Sequence, residues 1–203
     1  KFGETRLIGS LPRYAKAPLD YRYALDAAMT WLAKHDQVTV VCHVPALDAE
    51  VRQRVDVAHG PAAAALWVEP LVESWSSDLV EITTRLGTGS PLVVVASQLP
   101  AWSIPERRSW SGRPLGLQVG GLLRLRRALS QAGYEVEQCH GIHSLRSITY
   151  NQMGRALAVM GRTDIADRME FAARLHYCAI PPWSAFATVC LWLAHKKHES
   201  AHD

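Results

Sequence analysis

Two histidines three residues apart, His140 and His143, close a β-rich stretch with Gly141 and Ile142 between them. An imidazole titrates near neutral pH, so either one suits a general base that takes a proton from a hydroxyl or amine nucleophile. A His-x-x-His pair also suits a metal ion. Zinc, however, needs three or four protein ligands, and no other His or Cys pair has compatible spacing, so no metal is expected. A denser constellation lies between positions 101 and 114, where Trp102 and Trp110 are interleaved with Arg107, Arg108 and Arg113. Guanidinium forks bind carboxylate or phosphate through paired hydrogen bonds and indoles stack on planar rings, so this stretch reads as a lid over an anionic or aromatic ligand. A loop stapled to the body by Trp burial and Arg salt bridges accounts for the same residues. Two further sets stand where strands end, Cys42 with His43 and Ser97 with Gln98. The neutral hydroxyl and amide of the second set would orient a ligand rather than move protons. For the first set, a buried thiol and a loop-bonded imidazole are the alternative.

The elements that must position these residues follow from apolar spacing. Residues 1–18 read as a polar arm. Asp20 can cap a helix over 21–34, where Ala24, Leu25, Ala28 and Leu32 recur on one face. Residues 37–44 are β-branched and short, the mark of a strand buried on both faces. A surface helix over 47–57, a small-residue strand ending at Glu69, a helix over 77–86 and a strand over 91–97 follow. Strand-helix-strand units of this length pair in parallel with a right-handed crossover, which puts the strands near 37–44, 64–69 and 92–96 in one sheet. Ligands bind at the carboxyl ends of such strands, where His43, Glu69 and Ser97 fall. Beyond the Trp/Arg loop come a helix over 117–132, a strand over 135–141, two helices over 144–161 and 163–177, and a last strand over 185–195.

Composition narrows the classes. With 203 residues, 48% apolar and 20% charged, the chain suits one globular domain over 1–203, with an arm (1–18), a helical insertion (144–182) and a polar tail (197–203). No apolar run approaches the roughly 18 residues of a membrane span. A net charge of +3 with dispersed basic residues argues against a dedicated nucleic-acid surface. Four cysteines without C-x-x-C spacing, and an N-terminus without a basic-then-apolar segment, point to a reducing cytoplasm.

Three stretches carry a family resemblance. Residues 80–86 lead through Gly87-Thr88-Gly89 into the apolar strand 92–96. Leu129-Ser130-Gln131-Ala132-Gly133-Tyr134-Glu135-Val136 takes a helix through an Ala-Gly-aromatic turn into a strand. Residues 188–196 close the chain on a strand ending in Lys196. Over residues 62–196 this order resembles the distal half of class I S-adenosylmethionine-dependent methyltransferases. The resemblance implies a three-layer, Rossmann-like α/β fold, a mostly parallel sheet with a C-terminal antiparallel hairpin interrupted by the helical insertion. It implies S-adenosylmethionine as cofactor and methyl transfer to an acceptor. His43, Asp48, Glu69 and Ser97 would face the cofactor. Gln98, Trp102, Arg107, Arg108, Trp110 and Arg113 would face the substrate, with His140 or His143 as the base. The chain departs from the family at the first strand, which should run into a glycine-rich turn but ends Cys42-His43-Val44-Pro45. An acidic residue holding the ribose should follow the second strand, and Asp48 is the available carboxylate. A methyltransferase-like module that has lost its cofactor and binds a protein partner, or itself, is therefore the alternative.

Overall fold

A computed structural model of the chain describes residues 19–71, 73–97, 121–180, 184 and 187–197. The arm at 1–18, Gln98 and the whole Trp/Arg stretch with Trp102, Arg107, Arg108, Trp110 and Arg113 lie outside the described residues.

The described elements run α1 (Leu19–Leu32), β1 (Val38–Cys42), α2 (Pro45–Arg52), β2 (Ala64–Val68), α3 (Trp75–Arg85), β3 (Pro91–Ser97), α4 (Gly121–Gln131), β4 (Tyr134–Ile142), α5 (Leu145–Val159), α6 (Thr163–Leu175), β5 (Cys178–Ala179) and β6 (Val189–Lys196). Six strands form one sheet in the order β1-β2-β3-β6-β4-β5. The first three pair in parallel, Cys42 beside Val68 and Val68 beside Val95. β6 runs antiparallel between β3 and β4, so β4 points the same way as β1 to β3, and β5 is antiparallel to β4. The expected mostly parallel sheet with a C-terminal antiparallel hairpin is thus present, with α5 and α6 between the hairpin's strands.

Strand alternation sorts the core into two layers. Leu66, Val68, Val93 and Val95 face α1 and α2, packing on Tyr21, Leu25, Ala28, Leu32 and Leu47. Ala65, Trp67, Leu92 and Val94 face α3 and α4, packing on Trp75, Leu79, Ile82, Leu125 and Leu129. Every residue of β2 and β3 is buried, as continuous apolar runs require, and each fully buried Val or Leu contributes about 1.5–3 kcal/mol. The Ala-Gly-aromatic turn closes α4 in the expected way: Gly133 takes φ +83° and its N–H donates to Ser130 O at 3.1 Å.

Two boundaries and one strand differ from the sequence reading. α2 stops at Arg52 rather than 57, because Asp56 and Ala58 hydrogen-bond both backbone groups of Val38 (2.7 and 3.0 Å), and Val57 runs alongside β1. This pairing covers the outer edge of β1. The last strand starts at Val189 rather than 185, since Ser184 lies in a short helical turn and packs with Ala187 over Gly141. A Cβ on Gly141 would lie 2.5 Å from Ala187 Cβ and 2.7 Å from Ser184 Cα, so only glycine fits there. The two-residue β5 was not anticipated; it pairs Ala179 with Gly141 and Cys178 with Ile142.

Candidate functional site

The carboxyl ends of β1, β2 and β3, together with the start of β6 and the end of β4, form one edge of the sheet. Two polar networks occupy it. The first is built on Glu69, which follows β2. Its backbone N–H still bonds Val95 O (2.7 Å), but φ turns to +54°. That conformation costs a non-glycine residue about 1–3 kcal/mol, and such strain concentrates at ligand and catalytic sites. The turn swings the carboxylate beneath β3. Oε2 accepts Tyr21 Oη at 2.6 Å, Ser97 Oγ at 3.0 Å and the Ser97 N–H at 3.1 Å. Glu69 is 1% exposed and Ser97 is fully buried. A buried carboxylate is tolerated only with such donors around it, and here they tie α1 to the tips of β2 and β3.

The second network is built on Asp78, in the first turn of α3, where the helix dipole favours a negative charge. Asp78 Oδ2 accepts His43 Nε2 at 2.7 Å, Ser74 Oγ at 2.9 Å and Trp67 Nε1 at 3.0 Å. The His43 backbone N–H bonds Val68 O at 3.1 Å, which fixes the residue beside β2. Ser, His and Asp are the residue types of a hydrolase triad, but the wiring differs. Ser74 Oγ lies 3.2 Å from His43 Nε2, the same nitrogen that meets Asp78, so the ring cannot carry a proton from serine to its opposite nitrogen. What the arrangement does is pin the imidazole. With Nε2 held against a carboxylate, the ring is fixed in a side chain that is 21% exposed.

Cys42, just before His43, is a thiol rather than a thiolate: burial pushes its pKa up to about 12, opposed by a hydrogen bond with the Val44 backbone and by Arg52 and helped by the charges of Asp48 and Glu69. Asp48 lies on the exposed side of α2, where Arg52 grips both its oxygens at 2.8 and 3.0 Å. The turn between β1 and α2 has no glycine. α2 starts at Pro45, and Val44, its N-cap, makes no side-chain cap bond. Proline brings no N–H, so this helix start offers fewer donors to an anion than a glycine turn would.

The two candidate bases are held by different neighbours. His140 lies on β4 against Trp31 (ring centroids 5.7 Å apart) with Nε2 3.3 Å from Gln138 Oε1, and burial lowers its pKa. His143 follows β4 at φ +57° and stacks on Tyr177 at 5.4 Å, which in turn meets Tyr23 edge-on at 5.0 Å. His143 therefore shares the sheet edge with His43, Glu69 and Ser97, while His140 sits level with Leu191, deeper in the sheet. Among the described residues no group of three or more His, Cys, Asp or Glu side chains could hold a metal ion, and no helix is long and apolar enough to cross a membrane.

Tyr21, Trp67, Ser74 and Asp78 were not legible as site residues. Asp78 reads in sequence as an ordinary first-turn acid, and Ser74 four residues before it as the start of a helix. Only the position of α3 directly after the tip of β2 brings them under His43.

No protein-family model matches the sequence, and no curated protein matches it significantly. Solved structures do match. One is a SAM-dependent methyltransferase from Thermotoga maritima, described as a possible histamine N-methyltransferase, with 13% identity and a TM-score of 0.51 over 87% of this chain and 89% of that one. Another is geranyl diphosphate C-methyltransferase from Streptomyces coelicolor A3(2), with 11% identity and a TM-score of 0.43 over 84% of this chain and 79% of that one. With its sheet order and three layers, the chain has the class I S-adenosylmethionine-dependent methyltransferase-like fold.

Proposed function

We propose that this chain binds S-adenosylmethionine along the carboxyl edge of β1 to β3 and transfers its methyl group to a small-molecule acceptor. The observation that carries the reading is the pair of buried polar networks at that edge, one on a backbone-strained Glu69 and one fixing His43. When bound, the cofactor supplies an electrophilic methyl on a sulfonium, and the displacement depends mainly on alignment. The chain's own share is positioning. Glu69 and Ser97 hold the tips of β2 and β3 rigid, and Asp78 and Ser74 fix His43 so that Nδ1 meets a ligand hydroxyl or amino group. Asp48, held by Arg52, flanks the same turn. His143 at this edge would take the acceptor's proton where its pKa demands; His140, held deeper, is the weaker candidate. Gln98, Trp102, Arg107, Arg108, Trp110 and Arg113 directly follow β3 in sequence and complete the acceptor side of the proposal.

One observation favours a second reading. The β1–α2 turn is Val44-Pro45 rather than glycine-rich, which suits a module that has lost its cofactor and binds a partner or itself. Calorimetric titration with S-adenosylmethionine and S-adenosylhomocysteine separates the two. Micromolar binding weakened at least tenfold by His43→Ala supports the enzyme reading. No heat and no thermal shift at millimolar ligand refutes it and leaves the module.

A further inference from the structure

α5 is inside out for a helix of a lone domain. A surface helix ordinarily turns its large apolar side chains inward and its polar ones to water. Here the buried residues are Ser147 and Gly154. Gly154 lets α6 come close: a Cβ there would lie 3.3 Å from Ala166 O and 3.4 Å from Met169 Cβ. The large residues Leu145, Met153, Val159 and Met160 are instead left between 47% and 89% exposed. They are not scattered. Thr149, Met153, Ala156 and Met160, all exposed, recur at steps of four, three and four, the spacing of a helix seam, and Leu145 extends the stripe toward the start of α5. Thr149 Oγ1 donates to Leu145 O at 2.9 Å, so the hydroxyl is satisfied within the helix and its methyl adds to the stripe. The charged residues of α5, Arg146 and Arg155, fall outside these positions. Single exposed apolar residues are ordinary, but a continuous uncharged stripe along a whole helix marks an interaction surface.

We propose that this stripe is the seam of a homodimer in which α5 packs antiparallel on α5 of a second copy. Charge, shape and the helix dipole select a second copy as the occupant. A two-fold contact sets one patch against itself, so any charge on the patch would meet its like, and this one carries none. With the axis between positions 152 and 153, Leu145 meets Met160 of the copy, Thr149 meets Ala156, and Met153 lies across from Gln152. Large residues thus meet large ones at the ends, and small residues meet between them. The helix ends complement each other as well. α5 has no acidic residue in its first turn and no basic residue in its last, so its own side chains leave the dipole uncompensated. Antiparallel pairing sets each positive end beside the negative end of the copy. Area sets the strength. At 1.5 Å per residue the stripe is about 22 Å long and about 10 Å wide; even doubled for side-chain relief it gives roughly 450 Å² per copy, against roughly 800 Å² in a standard interface. The dimer is therefore weak and concentration-dependent, and it forms whether or not the chain binds a methyl donor.

Sedimentation equilibrium of the full chain, without any ligand, is the test. The expected result is a reversible equilibrium between monomer and dimer at micromolar concentrations. Met153→Glu, which sets two carboxylates near the axis, should weaken dimerisation at least tenfold. Val80→Gln, at an exposed apolar position on α3, should leave it unchanged. Orientation is read by cross-linking with a short bis-maleimide in a Cys178→Ser background, which removes an exposed native thiol. Leu145→Cys and Met160→Cys chains should cross-link when mixed and not when kept apart. A monomer at about 200 μM, a dimer that Met153→Glu leaves intact, or cross-linking of either cysteine variant with itself would overturn the proposal. An intact dimer together with a silent S-adenosylmethionine titration would keep the seam and remove the methyltransferase reading.

Discussion

Replacing Glu69 by Gln tests whether the network at the sheet edge carries the energy that its geometry implies. Among the described residues the carboxylate takes three donors, the Tyr21 hydroxyl and the Ser97 hydroxyl and N–H. Hydrogen bonds to a charged acceptor contribute about 1.5–3 kcal/mol each, against about 0.5–1.5 for neutral pairs. A glutamine that keeps its oxygen at the Oε2 position loses the charge on all three, roughly 1 kcal/mol per bond and so roughly 3 kcal/mol together. Its NH₂ then points at the Ser97 N–H, which approaches Oε1 at 3.3 Å, adding donor against donor. In a domain of this size, a loss of that order lowers Tm by about 6–12 °C. Tyr21→Phe removes one donor and should cost about 1.5–3 kcal/mol alone. The decisive quantity is the coupling. Groups in direct contact couple by about 0.5–3 kcal/mol, so the double variant should be less destabilised than the sum of the singles by about 1 kcal/mol. Chemical denaturation of the four proteins measures it. Additivity within about 0.3 kcal/mol would mean that the hydroxyl and the carboxylate do not meet, and the account of the edge would fail.

Three further outcomes follow from particular residues. Gly141→Ala places a methyl 2.5 Å from Ala187 and 2.7 Å from the Ser184 backbone, so it should cost about 1–3 kcal/mol or more, whereas Gly60→Ala, with nothing within 4 Å, should be nearly neutral; denaturant midpoints compare them. Because burial lowers the pKa of His140 below its ordinary value of 6.5, the unfolded chain binds the extra proton first as the solution is acidified. The His140 contribution is therefore complete above pH 6.5 and declines as pH falls through the window beneath it. The difference in unfolding free energy between the parent protein and His140→Asn should shrink on acidification, and a flat difference from pH 5 to 8 would refute the assignment. Finally, with its pKa near 12, Cys42 is thiolate in only about one molecule in 10⁴ at pH 8. Mass-mapped alkylation of the native chain should find Cys178 modified well before Cys42.

What could be read in the sequence and what could not separate along a physical line. β3 was legible to the residue because a strand buried on both faces must be continuously apolar, and Pro91 and Ser97 mark where that requirement begins and ends. Gly133 was legible because a helix end in the left-handed region leaves little choice of residue. α2 was misjudged because the residues after Arg52 keep helical spacing; what unwinds them is the unpaired edge of β1, a partner that local sequence does not display. Glu69 shows the same limit at the site itself. Its position at a strand end was legible, but not its burial, which depends on Tyr21, 48 residues earlier, and Ser97, 28 residues later.

The two networks also bear on how this edge could hold a ligand without a glycine turn. A glycine-rich turn lets backbone N–H groups meet a ligand at close range. Val44-Pro45 removes that option and leaves side chains to do the work. Side chains are less rigid than backbone unless they are held, and the residue next to that turn is held: Asp78, itself fixed by Trp67 and Ser74 and favoured by the dipole of α3, fixes the ring of His43. A merely structural histidine needs one bond. It does not require a buried carboxylate with two further donors behind it, nor a place at the edge where parallel strands deliver their ligands. That excess of fixation at His43, rather than any sequence motif, is the strongest argument that the edge binds something.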